Sequence, residues 1–136
     1  MKSVHLPRTL VTRLLSIAQR SPDQEVCGII SGTAEQAFLQ VHPVDNVAKH
    51  PQQHFHLDDK SLIDTLRNIR EAGNHLSAIY HSHPNSPAKP SLTDIEQHGY
   101  PDALYLIISL NTEGVLEMRG YYIHNKSVEE AITLTE

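Results

Sequence analysis

Two periods of hydrophobicity alternate along this chain, and each change of period marks an element. Across residues 7–20, Leu10, Leu14, Ile17 and Ala18 fall along one side, a stripe that predicts an amphipathic helix packed on a core. Pro7 suits its first turn, and Ser21-Pro22-Asp23 ends it. Residues 25–31 carry Val26, Cys27, Ile29 and Ile30 in a nearly continuous run, as in a strand buried on both faces, with Glu25 at its beginning. A turn over 32–36 and a second strand over 37–44 predict a hairpin, in which His42-Pro43 is structural. Residues 46–53 read as an irregular loop and 54–57 as a short strand. Asp58 then stands where a helix is capped, and Leu62, Leu66 and Ile69 repeat at helical spacing up to Ala72-Gly73.

The apolar run from Leu76 to Tyr80 predicts a buried strand that continues to His83. A short helix follows over 91–98, and Tyr100-Pro101-Asp102 breaks the chain. Residues 104–110 read as an apolar strand placed centrally in a sheet, with 114–124 as its partner after the Asn111-Thr112-Glu113-Gly114 turn. Residues 128–134 fit either an edge strand or a short helix. Strands with helices inserted at three places predict an α+β fold, a mixed sheet packed by helices. No linker or repeat divides the 136 residues, so one domain spanning 1–136 is expected, long enough to bury about two-thirds of the unfolded chain's surface.

Chemistry concentrates after the strand that ends at His83. Successive strand side chains point to opposite faces, so His81 and His83 share a face while Ser82 points away. A loop stiffened by Pro84, Pro87 and Pro90 leads to Ser91-Leu92-Thr93-Asp94, where Ser91 suits a helix N-cap and Asp94 the N3 position. Two imidazoles and one carboxylate make three convergent ligands. Zinc takes both kinds of donor, and a catalytic zinc site keeps its fourth tetrahedral position open. A second pair, His54 and His56, flanks Phe55; with Phe55 facing the core, both point to solvent, and the downstream pair is the metal pair.

His81-Ser82-His83, then seven residues, Ser91, two residues and Asp94 resembles the signature of the JAMM (MPN-plus, JAB1/MPN/Mov34) metallopeptidases. Glu25-Val26-Cys27-Gly28-Ile29-Ile30-Ser31-Gly32 is similar to that family's upstream block, and Asn46-Val47-Ala48 with Phe55 and Leu57-Asp58 to its middle portion. The resemblance covers about residues 4–124 and is that of a small prokaryotic-type member. It implies a curved mixed sheet flanked by helices, the cytidine-deaminase-like α/β/α architecture. It implies Zn2+ held by His81, His83 and Asp94, with Glu25 as general base and Ser91 as donor to the tetrahedral oxyanion. The implied reaction is hydrolysis of a peptide or isopeptide bond at the C-terminal tail of a ubiquitin-like or sulfur-carrier protein, with that protein as partner. Specificity lies in surface loops, so a hydrolase of small peptides or cell-wall fragments and a non-catalytic MPN binding module are the alternatives.

Composition narrows the field further. A net charge of −5 without a basic cluster argues against a nucleic-acid partner. No run approaches the roughly 18 residues of a membrane span, and no secretory leader is visible, so the expected location is the cytoplasm and no membrane contact is expected. The single cysteine, Cys27, fits a reducing compartment and reads as a small buried residue rather than a nucleophile. His-Glu-x-x-His is absent, and Asn85 stands where a metallo-β-lactamase-like motif has aspartate. An amidohydrolase barrel needs about 250 residues. A closed structural zinc site would need a fourth ligand such as His98, and is disfavoured.

Overall fold

The computed structural model describes residues 2–97, 99–100, 102–111 and 116–135. Its elements are β1 (Ser3–Leu6), α1 (Arg8–Gln19), β2 (Cys27–Gly32), β3 (Gln40–Val44), α2 (Asp59–Glu71), β4 (His75–His83), α3 (Leu92–Gln97), β5 (Leu104–Ser109), β6 (Glu117–His124) and β7 (Ser127–Thr135). Among the described residues seven strands form one sheet in the order β1-β7-β6-β5-β4-β2-β3. The pairs β4–β5 and β1–β7 are parallel and the others antiparallel, so the sheet is mixed, as the element pattern predicts. β5 is its middle strand, and all six of its residues are buried.

Period-two alternation divides the core into two faces. On one, Leu10, Leu14 and Ala18 of α1 pack with Ile30, Val41, Ala78, Tyr80, Leu104, Leu106 and Ile108. On the other, Ile79, Tyr105 and Ile123 pack with Phe55, Leu57, Leu76 and Ile95. This second face also carries α2 and α3. Because His81 and His83 share parity with Ile79, the same alternation that builds the core sends both imidazoles to the second face. Gly28 is required beneath Tyr80: a Cβ there would collide with the Tyr80 hydroxyl and the His42 carbonyl.

Several boundaries differ from the sequence reading. Pro7 is the N-cap residue, just outside α1, and its carbonyl accepts from Val11 N (3.1 Å). β2 begins at Cys27, which leaves Glu25 outside the ladder, and β3 begins only at Gln40. Residues 54–57 are not a strand; a lone bridge, Asn46 to Leu57, is all the pairing there. β1 was not foreseen, because four residues with two buried side chains, Val4 and Leu6, are too short a pattern to stand out. It pairs in parallel with β7 from Ser3↔Ile132 to Leu6↔Thr135. Residues 127–135 are therefore strand rather than helix, and lie inside the sheet rather than at its edge. Asn125, in the left-handed region at φ 57°, closes the tight β6–β7 turn.

The cap of α2 is as expected: Asp58 accepts from Ser61 N (3.0 Å), and Gly73 (φ 78°) follows the helix end. Cys27 is buried, and its Sγ donates to the Val44 carbonyl (3.4 Å). Burial pushes its thiol up to about 12, which fits a packing residue rather than a nucleophile. Of the predicted 111–114 turn only Asn111 is described, and His98 lies outside the described residues.

Candidate metal centre

The C-terminal end of β4 and the first turn of α3 build the site. His81 and His83 are almost completely buried, held in the strand by pairing to β2 on one side (Cys27↔His81) and β5 on the other (His81↔Ile107, His83↔Ser109). Asp94 is positioned by a reciprocal cap: Asp94 N donates to Ser91 Oγ (3.0 Å), and Asp94 Oδ2 accepts from Ser91 N (2.9 Å). The cap aims Oδ2 back at the strand, 3.1 Å from His81 Nε2 and 3.3 Å from His83 Nε2. The two Nε2 atoms are 3.1 Å apart.

The protonation of this triangle is set in part from outside it. His83 Nδ1 donates to the Pro87 carbonyl (2.8 Å), so in the neutral ring Nε2 presents a lone pair to the aspartate oxygen and to the other imidazole. Two imidazole nitrogens and a carboxylate oxygen in mutual contact are held together by a cation between them, either a proton or a metal ion. His81 Nδ1 and Glu25 Oε1 are buried with no hydrogen-bond partner among the described residues, so the surroundings hold further polar capacity that no protein group uses. Glu25, His81 and His83 each offer one ligand atom within 4.8 Å of the others. The donor set is therefore suited to a metal ion.

Electrostatics sharpen the division of labour. Burial pushes the Asp94 carboxyl upward, but hydrogen bonds to His81 and His83 outweigh it and hold the group well below the usual carboxylate range. Burial lowers His81 and keeps that ring neutral, as a ligand must be. For His83 burial also pulls downward, yet the bonds to Asp94 and the Pro87 carbonyl leave it raised. Glu25 is pushed up to about 7, chiefly by burial, with His83 opposing and Asp94 adding. A carboxylate near neutrality beside a metal-ligand set is poised to exchange protons.

The structure thus brings Glu25, His81, His83 and Asp94 into one cluster, with Ser91 joined to Asp94. Ser82 points away, as its parity predicts, and is fully buried; its Oγ accepts from Val26 N (2.9 Å) and its N donates to the Val26 carbonyl (3.0 Å). The upstream histidines stay out of the ligand group. His56 is exposed, 3.6 Å from Asp59. His54 departs from the expectation of a solvated ring: it is half-buried, and its Nδ1 is buried without a hydrogen-bond partner. The sequence reading missed the Pro87 carbonyl, which sets the His83 tautomer, and Phe55, which stacks on His81 with ring centroids 4.3 Å apart at 21°. The only advance signal for either was its neighbourhood, a proline-rich loop and an isolated aromatic between two histidines. Beside His81 and Asp94 opens a cleft of ≈ 400 Å³, walled by Phe55, Leu57, Tyr105 and Ile107.

Sheet and donor cluster together define an α+β domain built around a nitrogen–oxygen ligand set. Residues 7–121 match the family described as prokaryotic homologs of the JAB domain, and the chain belongs to that family. It is similar to the desampylase of Haloferax volcanii, with 39% identity over 93 residues, 68% of this chain and 67% of that one. It is also similar to the CysO-cysteine peptidase of Mycobacterium tuberculosis, with 30% identity over 129 residues, 93% of this chain and 88% of the relative. The solution structure of a protein from Desulfitobacterium hafniense matches with a TM-score of 0.84 and 26% identity, covering 97% of this chain and 92% of the other.

Proposed function

We propose that the protein is a zinc-dependent peptidase of the JAMM type, hydrolysing a peptide or isopeptide bond at the C-terminal tail of a ubiquitin-like or sulfur-carrier protein. The observation that carries this reading is the His81–His83–Asp94 triangle with the buried carboxylate of Glu25 beside it. Donors about 2.0–2.1 Å from a tetrahedral zinc stand roughly 3.3–3.4 Å from one another. The edges of the triangle, 3.1 to 3.3 Å, are close to that spacing. His81 Nε2, His83 Nε2 and Asp94 Oδ2 would hold the ion. Membership of the JAB family supports the reading, as do the relatives named desampylase and CysO-cysteine peptidase.

Zinc at this position supplies Lewis acidity, which polarises a carbonyl and makes water a better acid near neutral pH. Glu25 acts as general base, taking a proton from the attacking water and delivering it to the leaving amine. Ser91 serves two neighbours through different parts of one hydroxyl. Its oxygen accepts from Asp94 N, which leaves its proton for the tetrahedral oxyanion. The apolar cleft beside His81 gives a dry wall to the reacting group. We read residues 1–136 as one domain, its first strand paired to its last, and place it in the cytoplasm on the strength of its single reduced cysteine.

The test is incubation of the zinc-loaded protein with small sulfur-carrier proteins bearing C-terminal extensions, read by mass spectrometry. Cleavage at the end of the carrier tail, lost on chelation and restored by zinc, is the expected result. A fully loaded protein that cleaves none of them, or cleavage that survives chelation, overturns the assignment.

A further inference from the structure

We infer that Asn46 is the positioning residue for the Glu25 carboxylate, an inference that rests on the general-base role proposed for Glu25. Glu25 precedes β2, so no strand ladder pairs its main chain. Loop groups take over. Glu25 N donates to the Pro51 carbonyl (2.7 Å), and the Glu25 carbonyl accepts from Asn46 Nδ2 (3.0 Å). The next residue, Val26, is clamped to Ser82, which sits between the two metal-binding histidines. Glu25 Oε1 has no hydrogen-bond partner among the described residues. The position of that oxygen is therefore inherited from the backbone below it, which Pro51 holds at the Glu25 amide, Ser82 at Val26 and Asn46 at the Glu25 carbonyl itself.

Asn46 uses its whole amide for this. Nδ2 donates to the Glu25 carbonyl and to the His54 carbonyl, each at 3.0 Å. Oδ1 accepts from Ala48 N (3.0 Å) and His56 N (2.9 Å). Two carbonyls on one side and two amides on the other leave a single workable orientation of the side chain. One amide thereby joins the backbone of Glu25 to both ends of the 54–56 segment, whose middle residue, Phe55, stacks on His81. General base and metal ligand are registered against each other through it. Aspartate cannot replace it, since a carboxylate oxygen would face two carbonyls with no proton to give. Misplacing a reacting group by about 1 Å costs on the order of 10²-fold in rate.

Asn46→Asp is the informative change, because it keeps the shape and the acceptor for Ala48 and His56 but removes both donors. It is compared with the wild type, Glu25→Ala and the double variant on a carrier protein with a C-terminal extension. Metal content and hydrogen exchange at the Glu25 amide are followed in parallel. We expect kcat to fall about 10- to 100-fold with KM within about twofold, metal content unchanged and faster exchange at Glu25. In the Glu25→Ala background the substitution should add nothing further, since it acts through the missing carboxylate. Full kcat, unchanged exchange, or the same fold loss in both backgrounds overturns the inference. If Glu25→Ala keeps full activity, the general-base reading fails instead, while exchange still tests the tie to Asn46. Asn46→Ser, which leaves one hydroxyl donor, is held to the same outcomes should the aspartate variant not fold.

Discussion

On β4, Ala78, Tyr80 and Ser82 look toward α1, whereas Ile79, His81 and His83 look toward α2 and α3. The first face is organised for folding. Its contacts are aliphatic and aromatic, Ser82 bonds Val26 through both its N and its Oγ, and the Tyr80 hydroxyl is the buried polar atom this face leaves without a hydrogen-bond partner among the described residues. The second face starts in the same way at Ile79 and then changes character within two residues. There the buried atoms include imidazole nitrogens and carboxylate oxygens, and His81 Nδ1 and Glu25 Oε1 have no hydrogen-bond partner among the described residues. Leaving such a group unsatisfied costs about 1–3 kcal/mol. The apolar face offsets that cost, since each fully buried Leu or Ile contributes roughly 1.5–3 kcal/mol. One strand can therefore carry a stable core and a polar cluster poised for a ligand, separated only by the thickness of the sheet.

The sharpest way to separate the two faces is Glu25→Gln. Turnover is expected to drop about 10²- to 10⁴-fold, the range assigned to a lost general base. The thermal midpoint should stay level or rise, because an unpaired buried carboxyl is replaced by a neutral amide. A drop in midpoint with activity retained would make Glu25 a structural residue. Ser91→Ala should reduce turnover by about 10²–10³-fold through the missing oxyanion donor. It should also cost roughly 1 kcal/mol through the lost cap of α3, measurable by denaturant titration. Stability loss alone would confine Ser91 to capping.

On the α1 face the expectation reverses. Leu14→Ala should cost about 2–5 kcal/mol of stability while metal stoichiometry and the activity of the folded fraction hold. Loss of metal in this variant would show that the faces are coupled. Chelating the metal should lower the midpoint of the wild type but not that of Asp94→Ala, because only an intact triangle gains stability from the ion. His56→Ala should be nearly silent, within about 0.5 kcal/mol and with full metal content; a lost metal would place the exposed histidine in the site.

The shared face of His81 and His83 and the capped aspartate were legible before any coordinates because each rests on a local rule, whereas Glu25 was picked out by the resemblance of its segment to a family block. Strand alternation puts His81 and His83 on one side, and Ser91 with Asp94 spells a helix start. α1, β2, β4 and β5 were legible for the same reason, being long or strongly apolar. β1 and the interior position of β7 were not. Their pairing joins Ser3 to Ile132 across nearly the whole chain, and neither segment carries enough apolar residues to announce a partner. The strand expected at 54–57 failed for a related reason: Phe55 and Leu57 are apolar at period two, but the segment is held by the Asn46 amide and one bridge rather than by a ladder.

By itself, then, the order of residues determined which side chains could become ligands and on which face of their own element each would stand, since both follow from backbone geometry within a few residues. Only the tertiary structure decided that Glu25, outside its ladder, would come to lie beside His81 and His83, that Pro87 would set one imidazole's tautomer and that Phe55 would wall the other. The contacts of Glu25 and Phe55 join segments many residues apart, where chain closure rather than local propensity determines whether they meet, and the Pro87 contact, only four residues from His83, depends on the path of an irregular loop.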